Sequence, residues 1–226
     1  MHTPVRKIGI GYSGSLRGAF PSRKNGRVVR TESALERSFC LLLEFDSRVR
    51  AYGEQPVTIP FTSRGDKVLR HYTPDFLVEY QEGASCSAVL AEIKYEADLR
   101  LKAAELAPKF EAARSYAGER GWDFRIYTEV DIVKTPLLGN ARLLLRYQLL
   151  PALSSSTEVD PTEVLVALLA NVRSSTPTLL TTLGAQHTGL SVATLLPYCW
   201  HLLSCGRIGC ALTTEPLTMN SQLWAL

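Results

Sequence analysis

The residues best equipped for chemistry lie in two short apolar stretches, Tyr72-Thr-Pro-Asp-Phe-Leu-Val-Glu-Tyr80 and Val89-Leu-Ala-Glu-Ile-Lys94, separated by a polar turn over 81–85. Acid stands where a buried strand should carry none. Asp75 follows Pro74 and leads into Phe76-Leu77-Val78, and Glu92 and Lys94 close the run that begins at Ala88. Period-two alternation puts Glu92 and Lys94 on one face and Ile93 on the other. A hairpin in this register brings Asp75 beside both. Two carboxylates offer hard oxygen ligands to a divalent cation, and the lysine sets an ammonium group beside it. The competing reading is an edge hairpin whose charges are merely solvated.

The elements that must position these residues follow from spacing. Leu35, Phe39, Leu42 and Leu43 recur at helical intervals and predict a helix over 31–47. Glu36 lies in its first turn, and Ser33-Ala-Leu-Glu36 fits a capping box, in which the acid reaches back to the Ser33 backbone. A carboxylate aimed at the cation site is the other reading, and the pattern favours neither. Short strands are expected on either side of Pro56 and over 68–73. Gln55 either faces the site or caps a turn, and His71 is more simply a structural group. Residues 95–121 predict helix, with Pro108 opening a second segment at its first position. Lys102, Lys109 and Arg114 in this region could follow phosphates or pair with nearby acids. Residues 122–127 alternate like a strand, and 137–150 predict a leucine-rich helix. Helix, strands, helix and strand in this order give an α/β layer with a mixed sheet.

Composition sets the remaining bounds. The 226 residues are 46% hydrophobic and 21% charged, an ordinary water-soluble balance, with no apolar run of membrane-spanning length. No apolar core follows the first positive residues, so no signal peptide is expected, and five cysteines without a disulfide framework suggest reducing cytoplasm. Residues 1–30 carry Arg6, Lys7, Arg17, Arg23, Lys24, Arg27 and Arg30 and no acid. They read as an irregular basic arm suited to phosphate or simply to water. A Ser-rich linker begins at Pro151. Beyond it, helices at 160–172, 178–184 and 191–204, then strands near 207–213 and 217–224, make a winged-helix pattern. This region holds Arg173 and Arg207 against four acids, and its third helix has no Lys or Arg, so it is expected to bind protein rather than DNA. Cys199, Cys205, Cys210, His187 and His201 lack zinc-ligand spacing and lie on apolar helix and strand faces, so the cysteines read as core residues.

Pro74-Asp75, a spacer and Glu92-Ile-Lys94 resemble the PD-(D/E)xK nuclease signature. Together with Ser33-Ala-Leu-Glu-Arg-Ser-Phe39, Glu54-Gln-Pro-Val57, Tyr72-Thr-Pro-Asp-Phe76, Gly206-Arg-Ile-Gly209 and Leu223-Trp224, the chain resembles the TnsA family, the endonuclease subunit of heteromeric Tns-type transposases. The resemblance implies a restriction-endonuclease-like domain over 31–150 and a winged-helix-like partner-binding domain over 151–226. It implies an active site of Glu36, Asp75, Glu92 and Lys94, with Asp75, Glu92 and Glu36 on Mg²⁺ or Mn²⁺. It further implies cutting of the transposon 5′ ends beside a TnsB-like transposase and a TnsC-like AAA+ ATPase. Double-stranded DNA would be held by Arg17, Arg23, Lys24, Arg27, Arg30, Lys102 and Lys109. A stand-alone repair, resolvase or restriction nuclease of the same core, and a non-catalytic adaptor, are the alternatives.

Overall fold

The computed structural model describes residues 18–63, 68–84, 86–150 and 159–226. The chain divides into two compact units, Met1–Lys134 and Thr135–Leu226.

In the first unit, strands β1 (Gly18–Ser22) and β2 (Arg27–Thr31) form an antiparallel hairpin that pairs Phe20 with Val29. The described part of the expected irregular arm, from Gly18 on, is therefore a β-hairpin. The reason lies beyond the arm itself. Val29 is fully buried, and the buried carboxylate of Glu44 accepts from the Ser22 hydroxyl and the backbone N–H groups of Arg23 and Lys24. Residues 1–17, with Arg17 among them, lie outside the described residues.

Helix α1 (Ala34–Phe45) starts at an N-cap Ser33 whose hydroxyl accepts from the Glu36 N–H, and it buries Leu35, Phe39, Cys40, Leu43 and Glu44. Strands β3 (Val49–Glu54), β4 (Ile59–Phe61), β5 (Arg70–Tyr72), β6 (Phe76–Tyr80) and β7 (Ala88–Ile93) follow. Then come α2 (Glu96–Leu101), α3 (Ala103–Gly118), β8 (Asp123–Tyr127) and α4 (Glu129–Ile132). The helical break falls at Lys102, where the backbone leaves helical geometry (φ −108°, ψ 19°), while Pro108 lies inside α3. The expected break at the proline is thus six residues too late.

The principal sheet has the order β3-β6-β7-β8. β6 runs antiparallel to both β3 and β7, and β8 runs parallel to β7 after the helical crossover, so the sheet is mixed. Alternation splits the core between its faces. Phe76, Val78, Val89, Ala91 and Ile93 pack with α1 residues, and Leu77, Ala88 and Leu90 pack with Leu106, Phe110 and Ala113 of α3. β4 and β5 pair with each other in a separate two-stranded ribbon. The sheet does not simply bend at Pro74; the chain changes sheets there.

The second unit opens with α5 (Pro136–Leu144) and a 3₁₀ turn (Leu145–Tyr147), so the leucine-rich helix read as part of the first domain packs here. It continues with α6 (Pro161–Val172), β9 (Ser174–Ser175), α7 (Pro177–Thr188), α8 (Val192–Ser204), β10 (Ile208–Cys210) and β11 (Leu223–Ala225). The strands form an antiparallel sheet in the order β10-β11-β9. Helix α7 passes through Gly184 instead of ending there. A Cβ at that position would stand 2.8 Å from Leu165 and 3.1 Å from Leu195, so the glycine lets three helices close in. The stop comes at Gly189, with φ 71°. Strand β11 is shorter than the expected 217–224, because Asn140 commits the preceding loop to another geometry. Its amide donates to the carbonyls of Leu212 and Glu215, both at 2.8 Å, and its oxygen accepts from the Leu217 N–H at 2.7 Å. No described helix is long and apolar enough to cross a membrane.

Candidate active site

The β6–β7 register pairs Phe76 with Ala91. One step further along both strands sets Asp75 opposite Glu92, on the face that carries Leu77 and Leu90. Asp75 is fixed by its own backbone surroundings, since its Oδ2 accepts from the Ile93 N–H at 2.7 Å. Glu92 is 3% exposed and is held at both oxygens. Oε2 accepts from the Tyr72 hydroxyl at 2.6 Å, and Oε1 stands 3.0 Å from Lys94 Nζ. Asp75, Glu92 and Lys94, predicted to converge, do so.

Glu36 arrives from the start of α1. Its side chain accepts from the Ser33 hydroxyl at 2.9 Å and from the Glu32 N–H at 2.8 Å. The cap thus forms with the acid on the Ser33 side chain and one residue beyond, not on the Ser33 N–H. Glu36 thus caps its helix within the electrostatic reach of Asp75 and Lys94.

The electrostatics are those of an overcharged pocket. Burial, then the Glu92 charge, pushes the Asp75 carboxyl well above its usual range, against the pull of Lys94. Burial likewise raises Glu36, against its two hydrogen bonds. Burial works to lower Lys94, but Asp75, Glu92 and Glu36 together raise it, so it stays a firm ammonium. Three acids thus face one cation. The donors are carboxylate oxygens, the class that suits Mg²⁺ or Mn²⁺, and the surplus negative charge is what a divalent ion would offset. Among the described residues no three Asp, Glu, His or Cys side chains already enclose an ion position.

Several residues proposed for DNA are engaged inside the protein. Lys24 Nζ donates to the carbonyls of Asp46 and Val49, the latter at 2.7 Å. Arg27 forms a two-pronged pair with buried Glu54 at 2.9 and 2.7 Å. Lys102 pairs with Asp98 at 3.1 Å and Lys109 with Glu105 at 3.6 Å, each one helical turn away. Arg23 and Arg30 are exposed on the hairpin, and Arg114 lies over the Phe124 ring at 5.8 Å. His71 is exposed on β5, away from any role at Glu92 that its neighbour Tyr72 fills.

Sequence reasoning missed two of the groups that set this geometry. Tyr72 gave no signal beyond its place three residues before Asp75. Glu44 did: it is an acid on the apolar stripe of α1, and there it also accepts from the Tyr52 hydroxyl at 2.9 Å.

An α/β mixed sheet with paired acids and a lysine at the ends of adjacent strands is compatible with a nuclease core. The comparison with protein families agrees: residues 46–129 match the family described as TnsA-like endonuclease N terminal. That stretch, less than half of the 226 residues, contains Asp75, Glu92 and Lys94 but not Glu36. No curated protein matches the chain.

Proposed function

We propose that the chain is the divalent-cation-dependent DNA endonuclease subunit of a Tns-type transposase, the one that hydrolyses phosphodiester bonds at the transposon 5′ ends. The observation that carries this reading is the convergence of Asp75, Glu92 and Lys94 on one sheet face with more negative charge than Lys94 offsets. Asp75 and Glu92 would hold Mg²⁺ or Mn²⁺, with Glu36 contributing through water or through its field. The bound ion supplies Lewis acidity towards the phosphate and a more acidic water. Tyr72 and the Ile93 N–H keep the two acids from turning away. Lys94, kept protonated by its neighbours, offsets phosphate charge and orients the attacking water. It is better suited to that role than to removing a proton.

The substrate in this reading is double-stranded DNA, and the partners are a TnsB-like transposase and a TnsC-like AAA+ ATPase. The domain reading keeps a basic N-terminal arm, a nuclease domain and a winged-helix-like module that binds the ATPase. Three of the second unit's four described α-helices, α6 to α8, with a three-stranded antiparallel sheet support the last of these, as does an α8 free of Lys and Arg. The test is strand cleavage at transposon ends by Asp75→Ala and Lys94→Ala proteins together with both partners. Loss of 5′ cutting, with 3′ cutting retained, is expected. Wild-type cutting by both variants would sink the assignment, and efficient cutting by the chain alone would favour a stand-alone nuclease.

A further inference from the structure

Strand β3 runs out into Gln55, one of two non-glycine residues with left-handed backbone among the described residues (φ 46°). Glycine takes that conformation freely and glutamine does not. The backbone is pinned there, since the Gln55 N–H donates to the Asp75 carbonyl at 2.8 Å. The residue is 7% exposed, and its side-chain oxygen is buried with no hydrogen-bond partner. Buried acceptors are nearly always satisfied, so one left open beside a reactive site calls for an occupant.

Register gives the position. Glu54 pairs with Phe76 across β3 and β6, so Gln55 comes next to Asp75, and the same row continues to Glu92 on β7. Glu54 meets Arg27 of β2, whereas Gln55 lies past the end of β3 with its backbone held on the Asp75 carbonyl, beside the residues that carry Glu92 and Lys94. The acids there offer too few donors by themselves. No three acidic, His or Cys side chains among the described residues group to hold an ion, and both Glu36 oxygens already accept from Ser33 and Glu32. An amide carbonyl is a normal ligand for a hard divalent cation.

We propose that Gln55 supplies its side-chain oxygen as the third protein donor to the divalent cation held by Asp75 and Glu92. This rests on the nuclease reading, and the experiment separates the two. The full chain is titrated with MnCl₂ by calorimetry in its wild-type, Gln55→Gly, Gln55→Glu and Asp75→Ala forms, each checked by thermal melting. Gln55→Gly removes the amide while suiting the left-handed backbone, so it should melt no earlier than wild type yet bind Mn²⁺ about 10-fold more weakly or worse. Gln55→Glu, which restores an oxygen at the same reach, should bind at least as well as wild type. Should the glycine variant melt early, Gln55→Met, of similar length without the amide, carries the same expectation. Wild-type Mn²⁺ affinity in the variants lacking the amide, with affinity lost in Asp75→Ala, overturns the role of Gln55 and leaves the nuclease reading standing. Absence of Mn²⁺ uptake by the wild-type chain overturns both.

Discussion

Replacing Asp75 by Asn should stabilise the cation-free protein. Burial first of all disfavours the charged form of Asp75; beyond that, Glu92 and Glu36 repel it and Lys94 attracts it, which leaves about one repulsion uncompensated. Directly opposed strand residues stand roughly 5 Å apart, and at an effective dielectric of about 20 such a pair is worth about 3 kcal/mol. Asn keeps an oxygen for the Ile93 N–H but gives up the charge assistance of that bond, about 1 kcal/mol. The net gain is about 2 kcal/mol, or about 5 °C in Tm for a chain of this size. The pH dependence has a definite sign. The folded chain raises the Asp75 pKa above the unfolded value near ~3.9, so it holds the proton after the unfolded chain has lost it. Wild-type stability relative to the Asn variant therefore falls as pH rises from about 4, and the difference is complete once Asp75 has ionised in the fold. Thermal melts of both proteins in EDTA between about pH 4 and 8 measure it. A variant no more stable than wild type at neutral pH, or an advantage greatest at low pH, would refute the account of an overcharged pocket.

Three further outcomes are expected. Tyr72→Phe removes the 2.6 Å bond to buried Glu92, so it should lower stability by about 2 kcal/mol and reduce strand cutting about tenfold, with DNA affinity unchanged in a binding assay. Arg27→Ala leaves the Glu54 carboxylate buried and unpaired, and denaturant melts should show a loss of about 2–3 kcal/mol; weaker DNA binding with an unchanged melt would instead return Arg27 to the DNA-binding arm. Asn140→Leu strands two carbonyls and one N–H in the second unit, and proteolysis should reach residues beyond 135 well before the first unit, after a loss of about 3 kcal/mol.

The hairpin that bears the acids was legible because its signals are local. Alternation over six residues fixes which side chains share a face, and an acid in an apolar strand announces itself. The N-terminal hairpin was not legible for the opposite reason. Its own apolar content is slight, and its stability comes from groups more than twenty residues away, Glu44 beneath the turn and, 27 residues on, Glu54 beside Arg27. Read in isolation, Lys24 and Arg27 are spare cations; in the fold they satisfy particular carbonyls and a particular carboxylate. Tyr72 was hidden similarly. Nothing in Arg70-His71-Tyr72 distinguishes the residue that reaches Glu92 from the histidine that faces water. Only the departure of β5 from the main sheet does so. The helix break falls at Lys102, and Pro108 is accepted in the second turn of α3, where the following face packs through Phe110, Ala113 and Ala117.

The phenol that steadies Glu92 belongs to a ribbon only three residue pairs long, while the acids sit in a four-stranded sheet. These two pieces have different free energies of local opening, because a short ribbon with solvent on its outer residues parts more readily than a central strand covered on both faces. Each excursion of the ribbon frees one oxygen of Glu92 without disturbing the backbone that carries Asp75, Glu92 and Lys94. The fraction of time that both acids are set is then governed by a sub-global equilibrium, not by the melting point of the protein. Amide exchange at Ile59, Phe61 and Tyr72 reads that equilibrium directly, and it can differ between two variants whose melting curves superimpose.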